Sequence, residues 1–297
     1  MQTKITTVAV LGLGAMGHAF ATNLANHHFT IRVWNRSAQK GEDLVQKGAT
    51  LAQTPAQAVE ESEAVILMLA NAEITLEIMQ QVLSSLADNA IVVQMGTIGV
   101  DATQQLHSLL KEKRPDVGFI DAPVSGTKKP AEMAKIAILA SGDSALQKTI
   151  EPVFAAISQA IHWLGEAGAG SAMKLVVNSW LIGLMQSLAE SHCLAKQLGF
   201  SPETLWSVLE GGPLAAPYAK TKLEMMSQGT YDPQMQLKWA LKDAKLAAQT
   251  SGPNQMPALQ GIIDLWQSAV DAGLGNKDLS VIAHYLETQC DTAFTKG

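Results

Sequence analysis

One short run constrains this chain more than any other: Gly12-Leu13-Gly14-Ala15-Met16-Gly17, set behind an apolar stretch and ahead of a helix-favouring one. The apolar stretch runs from Thr6 to Gly12, and a second, Phe29–Asn35, follows about one helix later. Between a strand and a helix, the first glycine permits the tight turn. The second lets a pyrophosphate approach bare backbone, and the third lets helix and strand pack closely. Such a chain is expected to build a parallel sheet around a dinucleotide site, with Gly12, Leu13, Gly14, Ala15, Met16 and Gly17 meeting the cofactor. Met1–Ala25 loosely imitates a secretory leader, but the glycine spacing favours the strand and turn.

From Thr6 to about Gly165, short apolar runs alternate with helical stretches. Strands are expected at Thr6–Gly12, Phe29–Asn35, Ala64–Ala70, Ala90–Gly96, Gly118–Val124 and Ile136–Gly142, with Ile161–Leu164 as a seventh. Most of these runs are apolar throughout, the pattern of parallel strands covered on both faces. Thr54, Pro55 and Gln57 have the spacing of a capping box with proline at the first helical position, which marks a helix start. Beyond Gly168 the strand pattern stops. Ser171–Leu198 reads as one helix, about 42 Å long at 1.5 Å per residue, ended by Gly199. Apolar residues from Met173 to Leu188 occupy every face of it, so it is expected to be buried. Further helices are punctuated at Gly211-Gly212-Pro213, Asp232-Pro233 and Ser251-Gly252-Pro253. The expectation is an α/β doubly wound domain over 1–165 and an all-α domain over 166–297.

Composition narrows the partners. Net charge is −6 over 297 residues, so there is no basic surplus to neutralise a nucleic-acid backbone. Cys193 and Cys290 have no CxxC spacing, and the histidines are adjacent (His27-His28) or scattered, so no disulfide framework or metal centre is expected. The longest apolar stretch, Leu175–Ala189, is interrupted by Asn178 and Ser179, and no membrane partner is expected. The reading is a cytoplasmic protein that binds small molecules.

The end of the second strand chooses among dinucleotides. A carboxylate there accepts bonds from a ribose 2′-hydroxyl and repels a 2′-phosphate. This chain has Trp34-Asn35-Arg36-Ser37 and no acid until Glu42. Arg36 is expected to stack on adenine and pair with the phosphate, Asn35 and Ser37 to donate hydrogen bonds, and NADP to be preferred over NAD. The other reading of Arg36 is a solvated charge. Lys174 and Asn178 lie four apart, on one face of the long helix. A lysine in apolar surroundings has its pKa drawn toward neutrality and suits proton donation to a carbonyl oxygen. The alternative is a lysine that snorkels at the helix edge. Asp121-Ala122-Pro123-Val124-Ser125-Gly126-Thr127 closes a strand, where ligands bind in such sheets. Ser125, Thr127 and neighbouring N–H groups can grip a carboxylate there, or can simply form a turn.

Together these segments resemble the β-hydroxyacid dehydrogenase family, which includes 3-hydroxyisobutyrate dehydrogenases and glyoxylate/succinic semialdehyde reductases. Four of its signatures stand in order over the whole chain: GLGAMGHAFATNL, DAPVSG, GAGSAMKLVVN, and the Lys242-Asp243 pair within LKWALKDAKLA. The resemblance implies a Rossmann-type sheet followed by a helical domain, as in 6-phosphogluconate dehydrogenase. It implies that Lys174 is the catalytic acid/base and Asn178 its partner. It further implies that Ser125, Gly126 and Thr127 bind the substrate carboxylate, that Thr97 lies beside the nicotinamide ribose and that Lys242 reaches the nicotinamide side. Thr127-Lys128-Lys129-Pro130-Ala131-Glu132 stands where many members have GGxxGA, and looks like the semialdehyde reductase branch. Met68-Leu69-Ala70 and Gly96-Thr97 replace the usual MLP and ST, so cofactor contacts at Leu69, Ala70 and Thr97 are expected to differ locally. Tyr231, Leu237 and Trp239 are candidates for setting the length of the substrate pocket. The implied function is NADPH-dependent reduction of a small aldehyde or keto acid carrying a carboxylate, by a homodimer or homotetramer. The alternatives are an NAD-linked 3-hydroxyisobutyrate dehydrogenase, an imine reductase (against which Lys174 argues) and a non-catalytic homologue acting through protein partners.

Overall fold

A computed structural model of the chain describes residues 4–252 and 254–294, residues 290–294 by backbone alone. Pro253 of the third helix break and the Cys290 side chain therefore lie outside the described residues. Contacts divide the chain into two compact units, Met1–Lys174 and Leu175–Gly297. This contact boundary falls inside the long helix, whose first turn is hydrogen-bonded to residues of the sheet.

The first unit is built on the strands β1 (Thr7–Leu11), β2 (Thr30–Trp34), β3 (Thr50–Leu51), β4 (Ala64–Leu67), β5 (Ile91–Gln94), β6 (Gly118–Asp121), β7 (Val124–Ser125), β8 (Ile136–Gly142) and β9 (Ser158–Trp163). Their spatial order is β3-β2-β1-β4-β5-β6-β8-β7, with β9 paired to β8. β1 to β6 are parallel, whereas β8 runs antiparallel to β6 and β7. The chain moves outward from β1 to β3 and returns on the other side of β1 as β4. Strand order reverses at that point, and the carboxyl ends of β1 and β4 open a crevice for a ligand.

The continuous apolar strands have a simple cause. Val8, Val10, Ile66 and Val93 pack on one face of the sheet with Phe20, Leu24 and Phe154. Their neighbours Ala9, Leu11, Val65, Leu67 and Val92 pack on the other face with Ile78, Met79 and Leu106. Side chains alternate between faces, and here both faces are dry. The capping box also forms, with Thr54 accepting from the Gln57 N–H at the start of the helix Pro55–Val59.

Two expectations are corrected. Gly118–Val124 is not one strand: β6 stops at Asp121 and β7 begins at Val124, on the far edge of β8. Pro123, which has no N–H to give a ladder, sits at the break. The long helix, Ala169–Gln197, is not buried all round: Val176 is 62% and Trp180 68% exposed. By length and composition it could cross a bilayer. Its inner face carries buried Asn178 and Gln186, hydrogen-bonded to Asp243 and Trp266. Gly199, at φ +83°, ends the helical path, and the Phe200 N–H folds back onto the Ala195 carbonyl at 2.8 Å. The second unit adds the helices Pro202–Leu209, Pro217–Gln228, Leu237–Ser251, Pro257–Ala269 and Ile282–Phe294.

Candidate active site

At the carboxyl end of β1, Gly12 has φ +99°, and an added Cβ would collide with the Met68 carbonyl oxygen. At Gly17 an added Cβ would collide with the Gly12 carbonyl oxygen, so the helix Ala15–Asn26 can start this close to the strand only with glycine there. Gly14 differs: an added Cβ would meet nothing within 4 Å. Among the described residues no atom requires this glycine, and its exposed backbone is open to a ligand. Ala15 is exposed and Met16 half-buried beside it, while Leu13 turns inward at 2% exposure.

Asn35 is more than a donor at the end of β2. Its Oδ1 accepts from the Leu13 N–H at 2.9 Å, and its Nδ2 donates to the Ser37 carbonyl at 3.0 Å. The side chain thereby braces the glycine turn against the Arg36-Ser37 turn. Arg36 and Ser37 are both exposed beyond that brace. At the end of β4, Leu69 is half-buried and Ala70 exposed, and Asn71 caps the helix Ala72–Val82 through the Ile74 N–H at 2.9 Å. After β5 an added Cβ at Gly96 would lie 2.7 Å from the Leu69 carbonyl oxygen, so this close approach of the two strand ends suits glycine. Thr97, half-buried, follows directly. A braced glycine turn, a bare Gly14 and an exposed guanidinium are a set that fits a phosphorylated dinucleotide.

After β6 the chain places Ser125 in β7, opposite Ala137 of β8, half-buried. Gly126 has φ +141° and sits so close that a Cβ would lie 2.7 Å from Ile136 Cγ2. Thr127 precedes the short helix Lys128–Glu132 without spending its hydroxyl on a cap. Asn23, buried in the first helix, donates to the Ala131 carbonyl at 2.8 Å and so ties this segment to the helix that follows the glycine turn.

Lys174 is 9% exposed. It lies one turn beyond Ser171, whose backbone N–H and hydroxyl both donate to the Asp121 carboxylate, each at 2.7 Å. Burial pushes the Asp121 carboxyl up, against the downward pull of the Ser171 and Ser141 hydrogen bonds. In the second unit, buried Asn178 donates to Asp243 Oδ2 at 2.6 Å, and Lys242 Nζ lies 2.7 Å from Asp243 Oδ1. Asn178, Asp243 and Lys242 therefore form one group. Tyr231 packs on His284 with ring centroids 6.2 Å apart, and its carbonyl accepts from the Asp278 N–H. Leu237 is fully buried, and Trp239 lies exposed under the Lys238 ammonium.

Asp121, Ser171 and Asp243 were not singled out from sequence, although each stands inside a motif that was. Ser141 carried no signal at all; it becomes visible only when β8 is laid against β6.

Residues 7–165 match the family described as the NAD binding domain of 6-phosphogluconate dehydrogenase. Residues 168–286 match the one described as NAD-binding of NADP-dependent 3-hydroxyisobutyrate dehydrogenase. Glyoxylate/succinic semialdehyde reductase 1 of Arabidopsis thaliana is 32% identical over 280 residues, 93% of this chain and 96% of that protein. The human cytokine-like nuclear factor N-PAC is 31% identical over 81% of this chain, which spans only 44% of that protein. Among solved structures, Mycobacterium tuberculosis 3-hydroxyisobutyrate dehydrogenase with L-serine superposes with a TM-score of 0.85 at 26% identity, covering 95% of this chain and 99% of that one.

Proposed function

The chain belongs to the β-hydroxyacid dehydrogenase family, and we propose that within it the protein reduces small aldehydes or keto acids that carry a carboxylate, with Lys174 as proton donor. It is an NAD(P)-dependent oxidoreductase acting on the CH–OH group, and its cofactor is NADP(H). The observation that carries the proposal is the buried Lys174, on the helix face it shares with Asn178, which Asp243 holds in place. The similarity to glyoxylate/succinic semialdehyde reductase 1 supports the substrate class, as does the Thr127–Glu132 segment.

In this reading the Gly12–Gly17 turn holds the pyrophosphate and Arg36 and Ser37 the 2′-phosphate. Leu69, Ala70 and Thr97 border the rest of the cofactor. When bound, NADPH supplies the hydride for the carbonyl carbon. Ser125 and Thr127 donate hydrogen bonds to the substrate carboxylate, beside the exposed backbone of Gly126. The Lys174 ammonium gives its proton to the carbonyl oxygen as negative charge develops there. Asn178 orients this end of the reaction, and Lys242 is steadied by Asp243.

The test is the initial rate of NADPH oxidation with succinic semialdehyde, alongside glyoxylate and an NADH control. Rapid, NADPH-selective turnover is expected. Binding of NADPH with no turnover of either aldehyde overturns the substrate class.

The cofactor reading makes its own prediction. Arg36→Ala removes a charge-assisted pair of about 1.5–3 kcal/mol, so KM for NADPH is expected to rise by about 10- to 100-fold. KM for NADH should barely move, because no 2′-phosphate is lost. Equal losses with both cofactors would leave Arg36 as a base-stacking residue without a phosphate role.

A further inference from the structure

Asp121 ends β6 with its side chain fully buried. Its Oδ2 accepts from the Ser171 N–H at 2.7 Å and the Ser141 hydroxyl at 3.1 Å, and its Oδ1 accepts from the Ser171 hydroxyl at 2.7 Å. Ser141 Oγ in turn accepts from the Gly170 N–H at 2.9 Å. Gly170 and Ser171 lie in the first turn of the helix Ala169–Gln197, where backbone N–H groups have no partner within the helix. The sheet supplies one to each. The seating is close: an added Cβ at Gly170 would collide with the Leu139 carbonyl oxygen and lie 2.9 Å from the Asp121 carbonyl oxygen. Thr103 closes the cluster, its hydroxyl 2.9 Å from that of Ser171 and 2.8 Å from the Gly99 carbonyl.

Lys174 follows Ser171 by three residues, about 4.5 Å along the axis at 1.5 Å per residue. A clamp on residues 170 and 171 therefore fixes both the rotation and the rise of the turn that presents the ammonium. A buried carboxylate is costly unless its oxygens are met; here three donors and the positive end of a long helix meet them.

We propose that Asp121 is a positioning residue for the proton-donating step: through Ser171 and Ser141 it clamps the first helical turn and sets where the Lys174 ammonium sits. The inference rests on Lys174 being the proton donor. The clamp works through hydrogen-bond geometry rather than charge. Asparagine at 121 still offers an oxygen to the Ser171 N–H and the Ser141 hydroxyl. Its amide can donate to the Ser171 hydroxyl, which then turns toward Thr103 while Thr103 keeps Gly99.

The experiment compares D121A, D121N, S171A, S141A and K174A, measuring kcat with succinic semialdehyde, NADPH affinity, and hydrogen exchange at residues 170–174. A misplacement near 1 Å costs up to about 100-fold, so D121A is expected to lower kcat by about 10- to 100-fold. Its NADPH affinity should stay unchanged and its exchange at the first turn should quicken. D121N is expected to restore kcat to within about threefold and to restore slow exchange; a purely structural loss would not split kcat from cofactor affinity in this way. If D121A does not fold, S171A and S141A carry the test, with smaller falls in kcat matched by faster exchange. Faster exchange with unchanged kcat in these variants overturns the proposal, as does failure of D121N to rescue. A K174A enzyme as active as the wild type also overturns it, but by removing its premise. Hydrogen exchange would then still report whether the clamp exists, so the two failures are distinguishable.

Discussion

Lys174→Ala is expected to lower kcat by about 100- to 10,000-fold, the range for loss of a positioned general acid, while NADPH binds as tightly as before. The cofactor turn lies at the carboxyl ends of β1 and β2, and its own bonds (Gly12 N–H to Trp34, Leu13 N–H to Asn35) do not involve the lysine. Truncation should leave the helix start intact, since Asp121 and Ser141 hold residues 170 and 171 rather than 174. Lys174→Arg separates proton transfer from simple charge. A guanidinium keeps the positive charge but does not give up a proton near neutral pH, so K174R should remain as slow as K174A. Single-turnover rates with excess NADPH, together with cofactor titration by fluorescence, make the measurement. Activity in K174R near that of the wild type would make the residue an electrostatic anchor instead of an acid.

What could be read from sequence is what local chemistry dictates. The glycine turn was legible from its spacing between an apolar run and a helix-favouring one; the structure adds a local collision at Gly17, an open face at Gly14 and, at Gly12, a collision with the distant Met68 carbonyl oxygen that no local pattern records. The parallel strands were legible because both faces of the sheet are dry. β3 and β7, two residues each, carry no periodicity to detect. The long helix misled in one respect: apolar identity at Val176 and Trp180 does not say what, if anything, covers them. Asn35 reads as a donor by residue type, and only the fold shows its amide bridging Leu13 and Ser37. The Lys242-Asp243 pair drew attention to the lysine, yet it is the aspartate that holds Asn178. Partners of this kind join segments far apart in the chain, so no local pattern records them.

The largest stability effect is expected at a place with no part in the chemistry. Asp278 is fully buried in the second unit, 2.6 Å from the equally buried Lys222 ammonium. It also accepts from the backbone N–H groups of Gln234, Met235 and Ser280 at 2.9, 3.2 and 3.0 Å, and from the Ser280 hydroxyl at 2.8 Å. Burial pushes Lys222 down from the ordinary lysine range, and Asp278 pulls it back. Asp278→Ala leaves an unpaired buried ammonium and strands several donors at once. Breaking a buried pair from one side costs about 3–5 kcal/mol, which should appear as a lower urea midpoint with little change in slope. Lys222→Met in the D278A background removes the orphaned charge and is expected to recover part of that loss. Recovery stays partial, because the three backbone donors still lack an acceptor. Two of those donors lie just ahead of the helix Leu237–Ser251, which carries Lys242 and Asp243. D278A should therefore loosen the approach to that helix, and kcat should fall in any D278A protein that remains folded. Full recovery of stability in the double variant would mean that the ammonium alone, and not the backbone turn, is what Asp278 serves.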